Sequence, residues 1–233
     1  MLKCGKSLIR LQGSSRRSSL TNGHLFKRPL RHLKVILIKR RIASRVLIDG
    51  QKALAFTGLS SEKPVIMVIG GSLGAVAVNN AVRAILPELL KDFQVIHLCG
   101  KGKLDSSLTD TKGYVQYEYI KDELADLFAL ADIVISRAGA NAICEISALK
   151  KPNLLIPLSA RASRGDQILN ARSFEKLGYS MVLEEEEITN QKLLESIQTL
   201  YQNRDSYIQA MEKSKQTDSI EQIVQLFEQA VNK

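Results

Sequence analysis

Runs rich in apolar residues recur along the chain, each followed by a stretch with helical spacing. Val65–Ile69, Gln94–Leu98, Tyr114–Ile120, Ile133–Ile135 and Asn153–Ile156 read as strands. The most continuous of them have the pattern of strands buried on both faces. Ala53–Phe56 reads as a further strand and Met181–Leu183 as a short final one. Helical patterns run from about Val76 to Leu90, from Glu123 to Leu130, from Ala140 to Leu149, from Gln167 to Leu177 and onward from near Thr189. Pro87 should kink or divide the first of these helices. Asp122 and Asp166 stand where Asx residues cap helices, and Gly178 stands where one ends. In the last helical pattern Ile220, Ile223, Val224, Phe227 and Val231 form one apolar stripe, suited to packing on the parent domain. Strands alternating with helices at intervals of about 30 residues predict an α/β fold, a doubly wound parallel sheet with right-handed crossovers.

The loops that follow the strands carry the candidate chemistry. Val65–Ile69 runs into Gly70-Gly71-Ser72-Leu73-Gly74-Ala75. Glycines there let the backbone turn tightly and approach a ligand, and Ser72 with the first helical N–H groups can hold a phosphate. The segment is neither a Walker loop nor a full dinucleotide fingerprint, so a tight turn without a ligand is an equal reading. Ile133–Ile135 ends in Ser136-Arg137-Ala138-Gly139, and Asn141 and Glu145 then share one helical face. A carboxylate at that place can accept hydrogen bonds from two neighbouring hydroxyls such as those of a ribose, although a solvated helix residue is the plain alternative. Ser159–Gly165 is a polar loop at the C-terminal end of a strand, where open α/β sheets bind ligands. Glu184–Glu187 reads as a solvated edge with favourable charge ahead of a helix, not as a metal site.

Charge changes the picture only once it is located. The net charge of +9 over 233 residues suggests nucleic acid or an anionic membrane. Residues 1–48 hold 13 Lys and Arg and no acid, leaving 20 basic against 24 acidic residues in the body. The excess therefore belongs to an N-terminal arm, residues 1–50, read as irregular because it cannot bury enough surface to order itself. A transit peptide, a polybasic arm on lipid or nucleic acid, and the remnant of a truncated or frame-shifted lobe are the three readings, with truncation placed first. Cys4, Cys99 and Cys144 are too scattered for a disulfide framework or a metal site. No run of about 18 apolar residues spans a membrane.

Taken together, the three loops are more specific than each alone. Gly70–Ala75, then Ser136–Ala140 with Glu145, then Pro157-Leu158 and Asp166-Gln167-Ile168-Leu169-Asn170-Ala171 resemble the C-terminal half of the MurG family from about Ala53 onward. That family comprises membrane-associated transferases that move N-acetylglucosamine from its UDP donor to lipid I, forming lipid II for peptidoglycan. The resemblance implies that residues 51–233 form a Rossmann-like UDP-sugar-binding domain, the C-terminal lobe of a GT-B glycosyltransferase. It places Gly71 and Ser72 at the donor diphosphate and the Ile120 backbone at uracil. It places Ala138, Gly139 and Ala140 close to the nucleotide, Glu145 at the ribose hydroxyls, and Gln167 beside Asp166 at the sugar. Asn141 joins this set as a neighbour without an assigned role. The family's implied chemistry is inverting transfer with no cofactor and no metal, on the cytoplasmic face of the bacterial membrane and without a nucleic-acid partner. The family's N-terminal lobe, with its acceptor loop and candidate catalytic histidine, has no counterpart here, so lipid I is expected as a partner only if such a lobe is supplied. His24 and His32 are not assigned as a base, and no catalytic residue is named. The alternative is a donor-binding subunit that needs a separate membrane-anchored partner.

Overall fold

The computed structural model describes residues 50–71, 75–161 and 165–213. Ser72, residues 162–164, the basic arm and the stripe from Ile220 to Val231 lie outside the described residues. Six strands, β1 (Val65–Ile69), β2 (Gln94–Leu98), β3 (Tyr114–Tyr117), β4 (Ile133–Ser136), β5 (Asn153–Leu155) and β6 (Met181–Val182), form one parallel sheet in the order β3-β2-β1-β4-β5-β6. Eight α-helices accompany them among the described residues: α1 (Gly50–Thr57), α2 (Val76–Ala84), α3 (Leu86–Asp92), α4 (Leu124–Leu130), α5 (Ala140–Ala148), α6 (Asp166–Lys176), α7 (Asn190–Gln202) and α8 (Arg204–Glu212).

Alternation along β1 explains why its run is apolar throughout. Ile66 and Val68 face a core built with Val78 and Val82 of α2, Leu86 and Leu89 of α3 and Ile197 of α7. Val65 and Met67 face the opposite way, against Ala53 of α1, Leu127 and Phe128 of α4 and Ile146 of α5. A strand covered on both faces has no solvent side on which to place polar residues. A third cluster joins Ile143 of α5, Leu155 of β5, Ala171 and Phe174 of α6, and Met211 of α8.

Several local expectations are corrected. Ala53–Phe56 lies inside helix α1, where the Thr57 hydroxyl donates to the Ala53 carbonyl at 2.7 Å. Ala and Leu favour a helix, and four apolar residues are too few to separate the two periods. The division expected at Pro87 is present: the long helical pattern breaks at Ile85, and Pro87 sits in the first turn of α3, where its missing N–H costs nothing. The third strand stops at Tyr117 instead of Ile120. Neither aspartate caps its helix. Helix α4 begins after Glu123 with no side-chain cap, and α6 begins at Asp166 itself after Gly165 in the left-handed region, φ 82°. Thr189 is a true cap, its hydroxyl accepting from the Lys192 N–H.

One buried polar chain crosses the first core. The His97 ring lies between the Tyr114 hydroxyl, 2.9 Å from Nδ1, and the Asn79 Oδ1, 3.0 Å from Nε2. The Asn79 Nδ2 donates to the Cys99 carbonyl, so its Oδ1 is left as acceptor and the histidine proton belongs on Nε2. Burial, aided by the nearby Arg83 charge, lowers the His97 pKa from 6.5 to about 3. The unfolded chain therefore binds a proton that the folded protein excludes across that window, and stability falls as pH drops through it. Urea unfolding between about pH 6 and 5 should show a slope from this group approaching about 1.4 kcal/mol per pH unit. The slope should flatten in His97→Gln; identical slopes in the two proteins contradict the assignment.

Candidate functional site

Because every strand runs the same way, the loops that leave their C-terminal ends share one rim. The order of the strands reverses between β1 and β4, where Ile69 pairs with Ser136. Helix α2 leaves β1 toward one face and α5 leaves β4 toward the other, as their separate cores show. Helices that depart to opposite faces at such a switch point leave a crevice between them in open α/β sheets, the usual ligand position.

On one side of the crevice, Gly71 adopts φ 81°, a conformation that favours glycine, and α2 begins after Ala75 without a side-chain cap. On the other side, Gly139 precedes α5, again without a side-chain cap. The first N–H groups of a helix have no partner within it, so those at the head of α5 point into the crevice. Ala140 and Asn141 are exposed there, and Glu145 is half-buried one turn further along the same face.

Gly139 is informative in another way. Its φ of −70° and ψ of 136° suit any residue, and a methyl added to it would meet nothing within 4 Å. Neither backbone conformation nor packing within the described residues calls for glycine at this position.

The head of α6 is tied directly to this turn. The Asn170 Nδ2 donates to the Ala138 carbonyl at 3.2 Å, and the Gln167 Oε1 accepts from the Leu158 N–H at 3.0 Å. These two side chains, three residues apart on one helical face, bring Gln167 and the exposed Asp166 beside the Gly139–Ala140 turn. Gly71 joins them through the neighbouring strand. Ile120 is further away, after β3, two strands out from β1. Its side chain is 7% exposed and belongs to the core with Leu98 and Leu127, which leaves only its backbone to face a ligand.

Residues to which the sequence analysis gave no supporting role hold the rim in shape. Arg137 donates from Nη1 to the Ile156 and Pro157 carbonyls, at 3.2 Å each, and its Nη2 pairs with Glu185. Ser159 donates to Glu186, which keeps that carboxyl below its usual range, and Arg172 pairs with Glu184. The acidic run is thus bonded to its neighbours; Glu184 and Glu185 are half-buried, while Glu186 and Glu187 are exposed, as the reading of a solvated edge expects. The one available signal was Arg137 itself, a full charge directly after a buried strand, since such a charge needs a partner.

With this geometry in place, comparison with known proteins is decisive at the level of family. The glycosyltransferase family 28 C-terminal domain matches residues 65–226, from the first residue of β1 to beyond α8. This chain belongs to that family. Among curated relatives of the family 28 domain is the UDP-N-acetylglucosamine–N-acetylmuramyl-(pentapeptide) pyrophosphoryl-undecaprenol N-acetylglucosamine transferase of Lachnospira eligens. It is 60% identical over 194 residues, covering 83% of this chain and 55% of the relative. The enzyme of the same name from Geobacillus thermodenitrificans is 56% identical over 180 residues, 77% of this chain and 50% of its own. The chain spans about half the length of the curated relatives it matches. MurG of Acinetobacter baumannii superimposes with a TM-score of 0.61 at 22% identity, over 79% of this chain and 54% of that one. WaaG, a glycosyltransferase involved in lipopolysaccharide biosynthesis, gives 0.53 at 13% identity, over 75% of this chain and 47% of that one. These two show that the family 28 domain has the Rossmann-like lobe of the GT-B glycosyltransferase fold.

The two rim glycines should respond in opposite ways to a methyl group. Gly165→Ala forces an L-residue into the left-handed region and is expected to cost about 1 kcal/mol in urea unfolding. Gly139→Ala should leave stability unchanged or raise it by about 0.5 kcal/mol. A clear loss of stability in Gly139→Ala would show that the glycine serves the fold itself.

Proposed function

We propose that this domain is the donor half of a family 28 transferase and binds UDP-N-acetylglucosamine in the crevice between β1 and β4. The observation that carries the proposal is the uncapped head of α5. There Gly139 leaves room for a ligand, Glu145 lies one turn above, and Gln167 is fixed alongside through Leu158. The names of relatives up to about 60% identical across this region agree with that donor.

In this reading the diphosphate sits against the helix heads, where N–H groups and the macrodipole favour negative charge. Gly71 and Ser72 meet it from the β1 side, and Gly139, Ala140 and Asn141 from the β4 side. Glu145 accepts from the ribose hydroxyls, which a carboxylate can do for two neighbouring donors at once. The Ile120 backbone reads the uracil edge. Because the Oε1 of Gln167 already accepts from Leu158, its Nε2 is turned into a donor for a sugar hydroxyl, with Asp166 beside it as acceptor. Inverting transfer develops charge on the leaving diphosphate, and preorganised backbone dipoles stabilise such charge without a metal or cofactor.

Acceptor chemistry belongs to the part of the relatives that this chain does not span. We propose that with a complementary lobe the acceptor is lipid I and the product lipid II, at the cytoplasmic face of the membrane. No helix among the described residues is long and apolar enough to cross a membrane. By itself the chain is expected to bind donor and to transfer little.

Isothermal titration with UDP and with UDP-N-acetylglucosamine tests the site. Both should bind saturably, and Glu145→Ala should weaken UDP about tenfold, the scale of a lost charge-assisted hydrogen bond. A 2′-deoxy analogue of UDP should bind the unaltered protein more weakly but Glu145→Ala no more weakly than UDP does. Absence of any saturable signal with the unaltered protein sinks the donor-site reading.

A further inference from the structure

We propose that Glu184–Glu187 is a latch that sets the geometry of the donor-binding turns, with Glu185 as its central positioning residue. The inference rests on the donor-site reading above and deepens it by naming what holds that site in shape. Chain geometry makes the latch possible. After β6 at the edge of the sheet, residues Glu185–Glu187 form a single 3₁₀ turn. Successive side chains on such a turn point about 120° apart, so consecutive carboxylates reach different neighbours.

Each reaches a different part of the rim. Glu184 pairs with Arg172 on α6, Glu185 with Arg137 at the end of β4, and Glu186 accepts from Ser159 in the loop after β5. The outer pair is largely in solvent, and exposed pairs of that kind contribute little. The central pair differs, with the Arg137 side chain 11% and the Glu185 side chain 21% exposed. Removing one partner of a shielded pair leaves the other charge without compensation, so this contact is the one that matters.

What Arg137 touches leads straight to the ligand-facing groups. Its guanidinium holds the Ile156 and Pro157 carbonyls, and the next residue, Leu158, donates to Gln167. In the other direction Arg137 is followed by Ala138, whose carbonyl receives Asn170, and then by Gly139. A shift of Arg137 therefore moves the head of α5 and the Gln167 amide together. Small displacements of binding groups have large consequences for affinity.

The sign of the effect separates positioning from simple electrostatics. Glu185 is a negative charge close to a site for an anion. If charge were its only influence, Glu185→Gln would tighten UDP binding, whereas loss of positioning weakens it. We expect titration calorimetry to show UDP binding to Glu185→Gln about tenfold weaker with the stoichiometry retained. Ser159→Ala, a milder cut through the same latch, should weaken it about threefold. Glu88→Gln, at an exposed helical pair remote from the rim, serves as the control. Equal or tighter binding by Glu185→Gln overturns the proposal. So does a fall in the competent fraction with unchanged Kd, which would mark a role in folding alone. If Glu185→Gln does not fold, unchanged UDP affinity in Ser159→Ala overturns it. An unaltered protein that fails to bind UDP removes the donor-site reading and the latch with it. Normal binding by that protein and by both variants removes the latch alone.

Discussion

A parallel sheet covered on both faces must satisfy its backbone laterally and place its connections as helices above and below. That requirement organises everything else in this domain. It explains why β1, in the middle of the order, has no polar residue, with alternate side chains feeding two separate cores. It also favours the two ends of the sheet for polar chemistry, because a polar group buried among the strands needs a partner there, as His97 has in Tyr114 and Asn79. At the N-terminal end, the Asp132 carboxylate accepts from the Val65 N–H at 2.7 Å, and Lys151 donates to the Ala131 and Ala129 carbonyls that close α4. Burial lowers the Lys151 pKa, and the Asp132 charge partly offsets it. At the C-terminal end lies the crevice.

The same requirement decided what could be read from the residues. The strand β1 and the Ile133–Ile135 stretch of β4 were legible because two-sided burial writes itself as unbroken apolar sequence, and the order of strands and helices then followed. Ala53–Phe56 was misread because a four-residue apolar run carries no period. The aspartate caps failed for a different reason. The position after Gly165 is set by a left-handed residue that already turns the chain, so Asp166 enters the helix itself. Of the candidate site, the strand–helix turns were legible from their small residues, and Glu145 from its helical spacing to Asn141. The supports were not legible. Arg137 and Glu185 lie 48 positions apart in the chain, and no local rule pairs them. The run of four acids read as solvated charge because its partners lie on other parts of the chain, each distant from it in sequence except Lys192.

Bracing is needed because of where the sheet stops. The last ladder bond between β4 and β5 runs from the Ile156 N–H to the Ser136 carbonyl at 2.8 Å. Beyond it, the turns that face the crevice have no neighbouring strand to pair with, yet a ligand site has to be held to a fraction of an ångström. Side chains take over the task that the ladder gives up: Arg137 holds the Ile156 and Pro157 carbonyls, Gln167 the Leu158 N–H, and Asn170 the Ala138 carbonyl. Every one of these bonds joins a side chain of one element to the backbone of another. The turn thus keeps small residues such as Ala138, Gly139 and Ala140 at the crevice, while the bulk that fixes it stands behind. A parallel sheet of this kind does not by itself specify such an arrangement. The parallel sheet determines where a ligand can be held, and the side chains behind the rim determine how closely.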